Sequence, residues 1–263
     1  MVSKRTALLG IALAAHAFPA LAQDCIVTSR ALVDLGASAR GVVMHLHADR
    51  SDHVIQGQVL AEFEASEERA RLALAELAVR DDTALRLATV RAERARIKVE
   101  RIRKLDQQGL TVKDDLEEAE LAHEVAQIEV QKARFDKEVA REERAAAEAA
   151  LERKRVRAPF DAVVVERLMS PGEVYNEDTA ILRLAQLDTL YVESYLPMSE
   201  RAKLSTGDVM EIVLEDGRTR QAKLSVIDPI LDAATGTFGL RLILPNPDGD
   251  ILAGSRCVLG PFG

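Results

Sequence analysis

The chain has 263 residues, enough for one large domain or for two to three small ones. Its 43 acidic and 35 basic residues give a net charge of −8, which argues against nucleic-acid binding as the main function. Trp is absent and aromatic residues make up only 3%, so the composition does not predict one large globular core. The charged fraction of 30%, with many Ala and Leu residues, favours long helices instead.

The first 22 residues have the features of a secretory signal peptide. Lys4 and Arg5 give a positive start, residues 7–17 form a short apolar segment, and Ala20-Leu21-Ala22 is an A-x-A cleavage site. We expect cleavage after Ala22 and export, and no later apolar stretch reaches the length of a membrane span. The alternatives are an uncleaved anchor and lipidation of Cys25, which the preceding Gln23 and Asp24 disfavour.

Residues 41–63 read as a Val-rich strand, a polar turn, a Gly and a second apolar strand. His45 and His47 alternate along the first strand and so face one side, with His53 nearby, which makes a Cu or Zn site conceivable. Histidines on a half-exposed strand are the simpler interpretation, because no other ligands cluster with them. We therefore predict no metal site and no cofactor.

The sequence of residues 65–155 predicts two long helices of about 42 residues each, and each helix would be about 63 Å long. No Pro or Gly interrupts residues 65–108, Gly109 fits a helix C-cap, and Thr111 with Asp114 fits the start of a second helix that runs to about residue 155. A short link between two such helices predicts an antiparallel hairpin.

Each predicted helix repeats small or apolar residues every seven positions, which is typical of a coiled-coil seam. In the first helix the two rows are Leu85, Ala92, Val99 and Ala88, Ala95, Ile102; in the second they are Ala119, Ala126, Ala133, Ala140, Ala147 and Leu116, His123, Val130, Lys137, Arg144, Leu151.

A second copy of the β motif follows the helices in residues 156–174. Two or three strands are marginal alone, so we predict that the two copies close one shared core, with the helices inserted between them. From about Leu190 onward, short strands with turn signals, including a hairpin at Asp216-Gly217, predict a small barrel or sandwich.

Residues on both sides of the predicted helices form a recognisable pattern. Before the helices they are Gly41-Val42-Val43, Asp52, Val54 and Gly57-Gln58-Val59-Leu60-Ala61. After the helices they are residues 157–164 (RAPFDAVV), Gly172-Glu173-Val174, Leu187-Asp188, Leu190-Tyr191-Val192, Leu196-Pro197, Glu200, Leu204 to Val213, Asn246-Pro247 and Leu252-Ala253-Gly254. In this pattern the chain resembles the periplasmic adaptor proteins, also called membrane fusion proteins.

The resemblance implies an α+β fold: an elongated modular protein with a β-barrel domain and a lipoyl-like β-sandwich split by a long antiparallel α-helical coiled-coil hairpin. The barrel would use residues 23–35 and 187–263, the two sandwich halves residues 36–64 and 156–186, and the hairpin residues 65–155. Because the sequence ends soon after the barrel strands, we expect little of the membrane-proximal domain that larger adaptors carry.

The function implied by the resemblance is that of an adaptor subunit of a tripartite efflux pump. It would act in the periplasm, link an inner-membrane RND transporter to an outer-membrane channel for export of small molecules, and form a homo-oligomeric ring, with six copies as the family expectation. The alternatives are an adaptor of an ABC-type exporter and an exported coiled-coil scaffold with no transport role. No Ser-His-Asp, Cys-His or Walker pattern appears, so we do not expect an enzyme.

The family's hairpin tip, which meets the outer-membrane channel, carries Arg-x3-Leu-x6-Ser. Arg101 and Leu105 match its first part, and Thr111 supplies a hydroxyl one residue early. Two departures from the family pattern place Ser51 and Ala162 where Gly is usual, so we expect the backbone at both to avoid positive φ.

Cys25 and Cys257 are the two cysteines of the chain. In an oxidising compartment they could pair, or they could remain two free buried thiols. The resemblance implies that the N-terminal strand joins the C-terminal barrel, which would place the two residues on adjacent strands and favour a disulfide.

Overall fold

The computed structural model describes residues 23–110 and 113–260, so the predicted signal peptide, residues 1–22, lies outside the described residues. Contacts divide the described residues into two units, one of residues 23–33 and 184–260 and the other of residues 34–110 and 113–183. The second unit is therefore inserted in sequence between the two parts of the first.

The strands and helices follow one another in this order: β1 Gln23–Leu35, β2 Gly41–Leu46, β3 His53–Val54, β4 Val59–Phe63, α1 Ser66–Arg80, α2 Thr83–Asp106, α3 Lys113–Glu152, β5 Arg155–Arg157, β6 Ala162–Arg167, β7 Val174–Tyr175, β8 Leu182–Pro197, a 3₁₀ helix Met198–Lys203, β9 Val209–Leu214, β10 Thr219–Asp232, β11 Thr237–Pro245 and β12 Arg256–Leu259.

The first unit is a closed β-barrel. Its strands are hydrogen-bonded in the order β1-β12-β9-β10-β11-β8, and β8 also pairs with β1, which completes the ring. Apolar side chains alternate inward along these strands and form one core, whose fully buried members include Val27, Leu190, Ile212, Leu224 and Leu242. Closure leaves this ring of strands without a free edge.

Two buried polar residues in the barrel are satisfied by hydrogen bonds. The Ser194 hydroxyl donates to the Asp24 carbonyl oxygen at 2.7 Å. The Asn246 amide donates to the Leu187 carbonyl at 2.8 Å, and its oxygen accepts from the Ile251 backbone N–H at 3.1 Å. Asn246 thus ties two loops to the barrel core, which gives a structural reason for the Asn-Pro motif.

The hairpin predicted at Asp216-Gly217 is confirmed. β9 and β10 are antiparallel with Val213 opposite Thr219, and Gly217 has a φ of +83°, which the turn requires. Glycine adopts this conformation without the steric cost of a side chain.

Cys25 and Cys257 lie directly opposite each other on the antiparallel strands β1 and β12. Their Cα atoms are 4.8 Å apart, a disulfide joins them, and each residue is only 3% exposed. The bond links two positions 232 residues apart in the sequence.

The second unit contains a small sandwich to which both β motifs contribute. β4 pairs with β5, β2 with β7 and β3 with β6, so each pair joins one strand from each motif. Phe63 and Tyr175 pack with ring centroids 5.5 Å apart, and both residues are buried. The prediction that the two motifs close one core is confirmed.

The helices differ from the prediction in one respect. Residues 65–108 do not form one helix, because α1 ends at Arg80 and α2 begins at Thr83. At the break Asp81 is extended, and its carboxylate accepts a hydrogen bond from the Thr83 backbone N–H at 2.9 Å. Asp side chains compete in this way with the helical backbone, which periodicity alone does not reveal.

The expectation for Ser51 is wrong. Its φ is +73°, in the left-handed region, whereas Ala162 is not among the positive-φ residues and lies buried on β6. The Ser51 N–H donates to the Val164 carbonyl at 2.8 Å, and the next N–H, of Asp52, returns to the Asp49 carbonyl at 3.1 Å. The hydrogen bond from Ser51 to Val164 and the hydrogen bond from Asp52 back to Asp49 together hold Ser51 in the turn.

Candidate functional site

The residues predicted to contact a channel lie at the end of α2. Arg101 and Leu105 are both exposed on its last turns. The helix closes with Gly109 at a φ of +69° and with a hydrogen bond from the Leu110 N–H to the Leu105 carbonyl at 3.0 Å. This is the geometry of a glycine C-cap, so that prediction is confirmed. Thr111 lies outside the described residues.

An apolar side chain is exposed beside this cap. Leu110 is 70% exposed and Leu105 39%. Exposed Leu residues at a helix end, next to the cationic Arg101, form a surface that a protein partner could cover.

The helices carry opposite charges. α2 has eight basic and three acidic residues, whereas residues 114–129 of α3 include seven acidic residues and no Lys or Arg. Among the described residues, two ion pairs join α2 to α3: Arg103 Nη2 lies 2.6 Å from Glu120 Oε1, and Arg91 Nη1 lies 3.6 Å from Glu129 Oε2. The pairs run in reverse order along the two helices, so α2 and α3 are antiparallel.

Hydrogen bonds lower the pKa of several carboxyl groups elsewhere in the chain. A hydrogen bond from Arg96 lowers the pKa of Glu93, and one from Arg183 lowers the pKa of Asp34. At the break between α1 and α2, the bond from Thr83 lowers the pKa of Asp81. All three of these carboxyl groups are exposed.

The predicted seam rows face the interior of the helix pair. Ala88, Val99, Ala119, Ala126 and Ala147 are buried, and of the remaining row members only Arg144 is exposed. Where His123 replaces an apolar residue, a cleft of about 450 Å³ opens between α2 and α3. The His123 Nδ1 atom is buried and has no hydrogen-bond partner among the described residues.

Each long helix also exposes an apolar row outside the seam. Leu87, Val90 and Ile97 are 43–53% exposed on α2. On α3 the exposed row is Leu121, Val125, Ile128, Phe135 and Val139. Steps of three and four residues place each row on one side of its helix. These rows were not predicted from the sequence, although the same periodicity could have revealed them.

The barrel also exposes apolar side chains at one end. Tyr195 lies near the end of β8, Met198 begins the 3₁₀ helix that follows it, and Ile230 and Leu231 lie near the end of β10. Ile230 is 77% exposed and Tyr195 67%. The register of β10 shifts between Ile227 and Leu231, so alternation along that strand does not predict which side chains face outward.

The three histidines of the first β motif do not converge. His45 on β2 and His47 just after it have ring centroids 6.0 Å apart, and the His47 Nε2 lies 3.9 Å from the Glu62 carboxylate. Within residues 23–110 and 113–260, no group of three or more His, Cys, Asp or Glu side chains could hold a metal ion.

The two β motifs and the helices between them are the part of the chain that matches a known family. Residues 31–186 match the family described as CzcB-like, barrel-sandwich hybrid domain, and this is more than half of the chain. The chain belongs to this CzcB-like family.

Curated relatives of this CzcB-like protein include the cobalt-zinc-cadmium resistance protein CzcB of Cupriavidus metallidurans, 26% identical over 79% of the chain and 38% of CzcB. The pyoverdine export membrane fusion protein PvdR of Pseudomonas putida is 32% identical over 68% of the chain and 46% of PvdR. The chain therefore spans less than half the length of either relative.

The solved structure of MacA from Actinobacillus actinomycetemcomitans has a similar fold, with a TM-score of 0.76. The match covers 91% of the CzcB-like chain and 78% of MacA at 20% identity. Within the described residues, no helix has the length and apolarity that crossing a membrane requires.

Proposed function

We propose that this protein is the periplasmic adaptor of a tripartite efflux pump, where it links an inner-membrane RND transporter to an outer-membrane channel for export of small molecules. The observation that carries the proposal is the CzcB-like match over residues 31–186, in which a β-sandwich is assembled from segments on both sides of three helices. A scaffold with no transport role gives no reason to divide a sandwich around its helices.

The proposed architecture assigns a mechanical role to each part. Residues 23–35 and 187–263 form the barrel domain, residues 36–64 and 156–186 form the two lipoyl-like halves, and residues 65–155 form one antiparallel helical hairpin. The ion pairs Arg103–Glu120 and Arg91–Glu129 support the hairpin. Residues 1–22 act as a cleavable signal that delivers the protein to the periplasm.

The partners are assigned to surfaces by their exposed apolar residues. Arg101, Leu105 and Thr111 at the hairpin tip contact the outer-membrane channel, with exposed Leu110 beside them. The apolar end of the barrel, marked by Ile230, contacts the transporter. Several copies form a ring, six by the family expectation, because only a closed ring encloses a conduit.

Deletion of the gene in a strain without a duplicate pump tests the function. The curated relatives are named for resistance to cobalt, zinc and cadmium and for pyoverdine export. We therefore expect the deletion strain to become sensitive to toxic divalent cations or to accumulate a small exported molecule. The full chain should restore growth, whereas residues 23–263 without the predicted signal should not.

Two outcomes bear on the alternatives. Unchanged sensitivity and unchanged accumulation across metals, siderophores and toxic organic compounds would leave only the scaffold. Co-purification of the cross-linked adaptor with an ATP-hydrolysing transporter, in place of a proton-driven one, would replace the RND partner by an ABC-type exporter.

A further inference from the structure

We propose that the ion pair between Lys154 and Glu68 fixes the angle at which the long helices leave the β-sandwich. The pair lies at the root of the helices, which consists of residues 64–68, where α1 begins, and residues 151–155, where α3 ends. The inference goes beyond the proposed function, because it concerns only the geometry of the second unit and holds whatever the helices contact.

The side chain and the backbone of Lys154 join segments that are far apart in the sequence. The Lys154 Nζ lies 3.2 Å from Glu68 Oε1 on α1 and donates a hydrogen bond to the Arg40 carbonyl at 3.0 Å. The Lys154 N–H donates to the Leu151 carbonyl at 3.0 Å, and its carbonyl accepts from the Phe63 N–H at 2.9 Å. One residue therefore connects the start of α1 and the end of α3 to β4 and to the segment that precedes β2.

Burial distinguishes this ion pair from the others. The side chains of Lys154 and Glu68 are 17% and 21% exposed, and no other ion pair among the described residues has both partners so shielded from water. The pair between Arg157 and Glu152 also joins α3 to the sandwich, but its side chains are 42% and 49% exposed. Water screens an exposed pair, which restrains the chain weakly, whereas separation of a shielded pair leaves two charges poorly solvated.

A second carboxylate at the root also interacts with Lys154. Hydrogen bonds from Ser66 lower the pKa of Glu64, which lies just before α1, and the charges of Arg69 and Lys154 lower it further. Movement of α1 away from the end of α3 would therefore separate the Lys154 ammonium from two carboxylates. This arrangement strengthens the restraint at the root.

The length of the helices makes their angle at the root important. α3 has 40 residues, so it is about 60 Å long. A swing of about 10° at the root would move the far end of α3 by about 10 Å over that length. A contact surface at the far end keeps its position only if the angle at the root is fixed, and the shielded ion pair supplies that restraint.

Distances between two spin labels in the purified, exported chain test the inference by double electron–electron resonance. One label replaces Ala122, about 45 Å along α3 from Glu152, and the other replaces Gln56 in the turn between β3 and β4; both residues are exposed. The native cysteines form the disulfide and take no label. With Lys154 and Glu68 intact the distance distribution should be narrow, and Glu68→Gln should make it roughly twice as wide, because the amide carries no charge.

Two controls locate the movement. Glu76→Gln should leave the distribution unchanged, because Glu76 lies on the same helix but in an exposed ion pair with Arg80. A second pair of labels at Ala122 and Ala149, both exposed on α3, should stay narrow in every variant. No widening by Glu68→Gln, equal widening by Glu76→Gln, or widening between the two labels within α3 would each overturn the proposal.

Removal of both charges separates the angle from stability. Lys154→Met/Glu68→Leu places apolar side chains of similar size at the root, so the thermal midpoint should fall by no more than about 3 °C, while the distance distribution should stay broad. A narrow distribution would assign the angle to apolar packing, a large fall in the midpoint would assign the pair to stability, and either would contradict the proposal. These measurements need no transporter or channel, so their outcome is independent of the deletion assay.

Discussion

At the scale of single residues, Ser51 shows how a turn can impose a conformation that its own side chain disfavours. A non-glycine residue in the left-handed region costs about 1 kcal/mol or more. Here the hydrogen bonds of Ser51 and Asp52 hold that geometry. The glycine that is usual in the family would adopt this positive φ at Ser51 without a steric cost. At Ala162 the backbone has ordinary strand geometry, which a residue with a Cβ atom adopts readily.

We therefore expect Ser51→Gly to raise the free energy of unfolding by about 0.5–1 kcal/mol, because it relieves the backbone cost. Ala162→Gly restores the family residue at the other departure, but it should lower stability by about 1 kcal/mol, because a buried strand residue loses its side chain and gains chain entropy on unfolding. Urea titration of both variants measures the change in unfolding free energy, which should be positive for Ser51→Gly and negative for Ala162→Gly. Changes of the same sign would contradict the explanation from backbone geometry.

At the scale of elements, the seam between the long helices depends on small side chains. Ala119 is 1% exposed and Ala126 7%, so the helices approach closely at these positions. The sequence contains this feature as an unbroken row of Ala residues, because a seven-residue repeat is a local property of the chain. His123 interrupts the companion row and coincides with the cleft.

Substitution of Ala119 by Leu should lower the free energy of unfolding by about 1–3 kcal/mol, because the larger side chain has no space in the seam. Ala122→Leu, three residues further along and exposed, is the matched control and should change stability by less than about 0.5 kcal/mol. Thermal unfolding followed by circular dichroism measures both, and equal effects would show that the seam is not tightly packed.

At the scale of the whole molecule, the disulfide joins the two segments from which the barrel is built. Cys25 belongs to the first strand and Cys257 to the last, and 232 residues separate them. A cross-link over so long a loop restricts the unfolded chain strongly. The disulfide also holds β1 in the barrel. Within the described residues, β1 is the only barrel strand that precedes the inserted unit in the sequence.

We expect the Cys25→Ser/Cys257→Ser variant to lose about 3–5 kcal/mol of unfolding free energy, measured by urea titration. The mass of exported wild-type protein should rise by two hydrogens on reduction, and alkylation without reductant should label no thiol. Two labelled thiols in exported protein would show that the bond does not form. A cytoplasmic preparation, which is reduced, is the control.

The sequence by itself determined the features that short-range patterns encode. The seam rows, the C-cap at Gly109, the hairpin at Asp216-Gly217 and the pairing of the two β motifs all follow from periodicity, turn chemistry and the marginal stability of short strands. The tertiary structure alone decided the pairing of β8 with β1 that closes the barrel and the side chains that are exposed at the barrel's end. It also decided the sign of φ at Ser51, because the hydrogen bond to Val164 comes from a strand more than a hundred residues away. Contacts between distant segments set these features, and no local pattern records them.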